Sequence, residues 1–153
     1  MHLDKTDKTI LKLIQTDANM STAEIADKVN LSQPPCWRRI KRLEEGGYII
    51  KRVGILNANK LGLHIVIYAE VKLSANSEIM AFEENIIKIP EVTECYVMLG
   101  QVDFLLRIVS ADIAAYEKLY REKLSKLPGV QELNSSVAMG EVKRTTELPI
   151  DLL

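Results

Sequence analysis

Apolar side chains recur three and four positions apart through the first third of the chain, and from His64 onward they alternate with polar ones. The first pattern predicts helices and the second strands. In "LDKTDKTILKLIQ" the residues Ile10, Leu11 and Ile14 share a helical face, and Asp4 and Asp7 stand where they cap its amino end. "STAEIADKV" announces a second helix. Ser21 and Glu24 have the spacing of a capping box, and Ile25, Ala26 and Val29 form the buried stripe. After a tight "NLS" turn, Ser32 is placed to cap a third helix. Pro34 and Pro35 fall in its first turn, where a missing N–H costs little, and Gly46-Gly47 ends it. "YIIKRVGILN" predicts a strand and connector. Beyond it the order is strand (64–74), helix (77–90), two strands joined by "GQV" (92–99 and 103–110), helix (112–129) and strand (130–143). That order is a ferredoxin-like βαββαβ unit. The fold class is therefore α+β. An amino-terminal helix-turn-helix domain with its linker strand covers 1–60, a ferredoxin-like domain covers 61–153, and the boundary lies near 57–62.

The third helix sorts its residues sharply. At 100° per residue Cys36, Ile40 and Leu43 face the first two helices, whereas Pro34, Trp37, Arg38, Lys41 and Arg42 lie around the opposite side. The run "RRIKR" would repel itself in isolation, and a solvated helix face is the plain alternative for such a run. Here a capped helix and a short turn precede it, which makes the pair a helix-turn-helix. A helix so presented fits the major groove of double-stranded DNA, with first-turn residues at base edges and cations at phosphates. The candidate DNA-contacting set is Ser21, Thr22, Gln33, Pro34, Trp37, Arg38, Lys41 and Arg42. For Trp37, partial burial against the second helix is an equal alternative. Cys36 is read as core.

Charge supports this division. The net charge of −1 hides an asymmetry: residues 1–60 carry 11 Lys/Arg against 7 Asp/Glu, and residues 61–153 carry 9 against 14. A basic first part and an acidic second part face different partners. With 47% hydrophobic residues among 153 the chain has apolar side chain enough for a core, and no apolar run approaches the roughly 20 residues of a membrane span. The charged start "MHLDKTDKTI" has no secretory character. Cys36 and Cys95 stand far apart, outside any metal-ligand spacing, as two reduced thiols of a cytoplasmic protein would. No metal and no cofactor is expected. His2 and His64 lie near no plausible nucleophile and no Gly-rich phosphate loop is present, so the sequence does not read as an enzyme. Asp103 with Arg107 on one strand reads as turn and interface chemistry rather than a catalytic pair.

"LDKTDKTILKLIQTDANMSTAEIADKVNLSQPPCWRRIKRLEEGGYI" resembles the DNA-binding domain of the Lrp/AsnC (feast/famine) transcriptional regulators. "VMLGQVDFLLRI" and "LPGVQELNSSVAMGEVK" resemble the two signature segments of that family's effector domain, and the similarity covers essentially the whole chain. The resemblance implies a winged-helix repressor or activator whose ferredoxin-like domain dimerises and senses amino acids. It further implies assembly of dimers into tetramers or octamers, with DNA wrapping the assembly. The residues agree on pairing. "VTECYVML" carries Cys95, Val97 and Leu99 on one face and Tyr96 and Met98 on the other, and the last strand is likewise read as apolar on both faces. Two helices cover only one face of a four-stranded sheet, so the second face calls for another subunit.

A site for the effector is expected at the turn 99–103, where Gly100 admits close approach and the amides offer donors for a carboxylate. Asp103 is placed to receive an ammonium group or to cap the turn. The resemblance implies that Ser135 and Ser136 come from the neighbouring subunit. The neutral amide of Gln101 disfavours a basic ligand, and Met98 and Leu99 lean toward a small apolar or sulfur-containing amino acid. A stand-alone amino-acid-binding module is the competing class. Such a module has no need of a capped helix with a cationic face.

Overall fold

The computed structural model describes residues 2–153. The chain forms two compact units: residues up to Ile55 together with Lys143–Leu153, and Leu56–Val142. A single cut at 57–62 does not describe this arrangement, because the last eleven residues return to the first unit.

The first unit is built on α1 (Lys5–Thr16), α2 (Thr22–Lys28) and α3 (Gln33–Glu45). Both expected capping boxes form. The Asp7 N–H donates to Asp4 Oδ1 at 2.8 Å while the Asp4 N–H donates to Asp7 Oδ2 at 3.3 Å. The Glu24 N–H donates to Ser21 Oγ at 3.2 Å while the Ser21 N–H donates to Glu24 Oε2 at 2.8 Å. Ser32 occupies the cap position of α3 but its side chain makes no capping bond, so the prolines alone set this start. The turn between α2 and α3 places Asn30 in the left-handed region (φ 55°), a conformation its short polar side chain tolerates. At the far end of α3, Gly47 adopts φ 73°. The N–H groups of Tyr48 and Gly47 then reach back to the carbonyls of Leu43 (2.9 Å) and Glu44 (3.0 Å). Ile10, Ile14, Ile25, Cys36, Ile40 and Leu43 form the core, joined by Ile150 from the carboxy-terminal segment.

No strand forms in the stretch 48–57. A strand is held by its ladder, and none is offered to this stretch in the chain, so Ile50, Val53, Ile55 and Leu56 stand exposed.

The second unit is the βαββαβ fold: β1 (Ile65–Leu73), α4 (Ile79–Ile86), β2 (Val92–Val97), β3 (Phe104–Ser110), α5 (Ile113–Glu122) and β4 (Val130–Val137). The sheet order is β2-β3-β1-β4, with every pairing antiparallel. Both helices are shorter than their sequence pattern. At Lys123 (φ −124°, ψ −60°) the chain leaves the helix, and a short turn Leu124–Lys126 then buries Leu124 completely. β4 stops at Val137 rather than running to 143, because its partner β1 begins at Ile65 and the Ala138 N–H bond to the Val66 carbonyl is the last of the ladder. One sheet face packs Ile67, Ala69, Val71, Phe104, Leu106 and Ile108 against Phe82, Ile86 and Leu119, with the rings of Phe82 and Phe104 4.5 Å apart. The other face carries Tyr68, Tyr96, Leu105 and Val109, but β4 lends it Glu132, Asn134 and Ser136. The expectation of an apolar second face on the last strand is therefore corrected: that edge is polar.

Candidate DNA-reading and effector surfaces

The start of α3 and the start of α2 come together. Thr22, Gln33, Pro34, Trp37 and Arg38 line one open depression of about 540 Å³. Trp37 is 52% exposed, a surface position that still covers part of the side chain, and the Lys41 ammonium stands 5.0 Å from the centre of its ring. The aromatic face thus holds one cation in place beside Arg38. Ser21 adjoins this surface, but its hydroxyl is engaged with Glu24 Oε2 at 2.7 Å. Those bonds hold the Glu24 carboxyl below the usual carboxylate range.

Arg42 departs from the expected picture. Its guanidinium turns toward α1, where Nη2 donates to Asp7 Oδ1 at 2.9 Å and Oδ2 at 2.8 Å. Arg39 joins it, donating through Nη1 to Asp7 Oδ1 (2.8 Å) and Asp4 Oδ2 (2.6 Å). The Asp7 side chain is 1% exposed and carries two guanidinium groups besides its cap. A carboxylate so deep requires such partners. Arg42 therefore does not simply project away from the core: an ion pair ties it to α1, with half of its side chain still in solvent. The sequence pattern located the four cations but missed this network. Its signal was the aspartate at the third position of α1, read only as a cap.

The effector residues divide between the two edges of the second unit's sheet. Met98, Leu99, Gly100, Gln101 and Asp103 belong to the β2–β3 connection, and Ser135 and Ser136 to β4. Space around Gly100 is open. Asp103 is committed to the fold: Oδ2 accepts the Leu73 N–H at 2.7 Å, and its backbone bonds to Val71 and Met98 at 2.9 Å each. Arg107 does not pair with it. Its Nη1 donates to Thr93 Oγ1 at 2.8 Å, beside Glu94. Ser135 and Ser136 point to opposite faces. Ser135 lies opposite Ala69 and hydrogen-bonds the Tyr116 hydroxyl, whereas Ser136 lies opposite Tyr68 on the uncovered face. Burial pushes the Tyr116 phenol up. A shallow groove of about 430 Å³ runs there between α5 and β4, lined by Tyr116, Tyr120, Leu133 and Ser135. Among the described residues no group of three or more His, Cys, Asp or Glu is placed to hold a metal ion, and no helix is long and apolar enough to cross a membrane.

Residues 3–50 match the family of winged helix-turn-helix DNA-binding domains, and residues 66–148 match the Lrp/AsnC ligand binding domain. The chain belongs to the Lrp/AsnC family. It is a DNA-binding transcriptional regulator with the helix-turn-helix and ferredoxin-like units of that family. Among curated relatives, the DNA-binding transcriptional activator DecR of Escherichia coli K12 is 36% identical, over 97% of this chain and 99% of the relative. The leucine-responsive regulatory protein of the same organism is 35% identical over 97% and 92%. An AsnC family transcriptional regulator from Agrobacterium tumefaciens superposes with TM-score 0.93 at 38% identity, covering 99% of both chains. A Neisseria meningitidis regulator solved with L-Met gives TM-score 0.95 at 32% identity, covering 99% of this chain and all of that one. These relatives are all named as transcriptional regulators.

Proposed function

We propose that this regulator reads its operator with the amino-terminal half of α3 and responds, in the cytoplasm, to a small apolar or sulfur-containing amino acid held between subunits. The depression shared by Thr22, Gln33, Pro34, Trp37 and Arg38 carries the DNA reading, because it sets donors, an aromatic ring and the Arg38 cation side by side on one exposed surface, with Lys41 held over that ring. Arg38 is the direct reader, Lys41 is steered by Trp37, and Arg42 meets the phosphate backbone from its ion pair. Arg38→Ala is expected to weaken operator binding by about 1–3 kcal/mol while the melting temperature stays put. Gel shifts against the operator and an unrelated duplex check it. A loss equal on both DNAs, with a flatter salt dependence, would reduce Arg38 to a phosphate contact.

For the effector, the support is topological. The 99–103 turn joins the outer strand β2 to β3, whereas Ser135 and Ser136 lie on β4, the opposite outer strand, which supports a site that draws them from two chains. The L-Met bound by the Neisseria regulator fits the preference read from Met98, Leu99 and Gln101. Turn amides serve the carboxylate and the free oxygen of Asp103 serves the ammonium. A homodimer formed through the uncovered sheet face, assembling further to a tetramer or octamer, supplies the second chain. Gly100 sits in open space without a left-handed backbone, so Gly100→Val leaves folding intact. Its expected effect is loss of L-methionine binding by calorimetry with operator affinity retained. Unchanged binding would move the ligand away from this turn.

A further inference from the structure

The carboxy-terminal segment 147–153 is acidic at Glu147 and Asp151 and otherwise rich in leucine, and it lies along α1. Lys8, Lys12 and Gln15 repeat at helical spacing and form one stripe on that helix. Gln15 grips the segment's backbone in both directions. Its Nε2 donates to the Leu148 carbonyl and its Oε1 accepts the Leu148 N–H, each at 3.0 Å. Lys12 pairs with Asp151, and Lys8 donates to the Leu153 carbonyl. Between these contacts Ile150, 8% exposed, enters the core of the helix-turn-helix unit. The neighbouring stripe of the same helix carries Asp4 and Asp7, which hold Arg39 and Arg42 of α3.

We propose that α1 is a docking surface for this chain's own carboxy-terminal segment, and that seating the segment is thermodynamically linked to DNA binding. One helix touches the segment on one side and the cations of the reading helix on the other. A shift of α1 against α3 therefore alters the grip of Asp7 on Arg42, and by linkage DNA alters the seating in return. The seat is poised rather than locked. A single isoleucine is buried, the Lys12–Asp151 ion pair is exposed and weak, and Leu148, Leu152 and Leu153 remain in solvent. Because the segment follows β4 through residues 138–146, the chain joins the second unit to the seat by a connection other than 48–57.

The test uses the full-length chain and operator duplex, without an amino acid, so it stands apart from the effector reading. Lys12→Glu and Asp151→Lys are each expected to speed hydrogen exchange at the Leu148 amide and to weaken operator binding. The double reversal is expected to restore both. Ile150→Asp is expected to weaken operator binding about fivefold or more, a usual span for such coupling. Adding operator DNA to the unaltered protein is expected to change the Leu148 exchange rate. Operator affinity within twofold of normal in Ile150→Asp and in Gln15→Ala, with Leu148 exchange raised in both, would overturn the linkage. Leu148 exchange unchanged by every substitution would overturn the docking itself. Failure of the unaltered protein to bind any duplex would instead strike the DNA reading, and would leave the exchange measurements to decide the seat.

Discussion

Asp7→Ala is expected to destabilise the helix-turn-helix unit by about 2–4 kcal/mol, between the loss of charged hydrogen bonds and the breaking of a fully buried ion pair. The substitution removes one half of the α1 capping box, the acceptor of the Asp4 N–H, and it leaves Arg39 and Arg42 without their shared carboxylate. The figure stays below the full cost of a buried pair because both guanidinium groups keep contact with solvent. Asp7→Asn keeps the shape and part of the hydrogen bonding, and should cost about half as much. Urea unfolding followed by the fluorescence of Trp37, the chain's one tryptophan, reports this unit. A loss under about 1 kcal/mol for Asp7→Ala would show that the network contributes little beyond solvated charges. The same geometry makes Arg42→Ala costly to folding as well as to DNA binding, unlike Arg38→Ala.

Gly129→Ala is expected to cost the second unit about 3 kcal/mol, from a strained backbone and a steric collision together. Gly129 sits at φ 72°, and a Cβ there would lie 2.3 Å from Glu78 Cβ and 2.7 Å from its Cγ. The Glu78 Cβ is fixed to its own backbone, so the clash cannot be relieved by a side-chain rotation. The chain must instead displace the turn whose Gly129 carbonyl accepts the Ser74 N–H at 2.8 Å. Thermal unfolding by circular dichroism measures the loss, and Glu78→Ala, which keeps the offending Cβ, should not rescue it. A melting temperature within a degree of normal would show that the turn yields freely.

The elements were legible wherever the local signal and the tertiary demand agree. The capping boxes at Asp4 and Ser21, the prolines opening α3 and the glycines closing it are each decided within a few residues, and each is found in place. The lengths of α4, α5 and β4 were not legible, because they are settled by distant partners. Leu124 leaves the helical path to join the core under the sheet, and β4 ends where β1 begins. The strand expected at 48–57 has the right composition but no ladder in the chain. For the DNA-reading surface, helical periodicity placed Trp37, Arg38 and Lys41 on the exposed side. It misjudged Arg42, because a long side chain can fold back to a carboxylate that the sequence sets 35 positions away. For the effector turn, the sequence pointed to Gly100 and Asp103 together. The backbone amide that already occupies Asp103 belongs to Leu73, a pairing that only the closed sheet reveals.

The return of Ile150 to the first core has a consequence for how the chain is made. Synthesis delivers α1, α2 and α3 first, yet one residue of their core emerges only after the whole of the second unit has been translated. Domains generally fold as they leave the ribosome, amino-terminal first. Here the core of the DNA-binding unit lacks Ile150 until the sheet of the second unit has been made. The part of the protein that reads DNA is the first to be started and the last to be finished, so a nascent chain does not hold a completed reading head before the second unit exists.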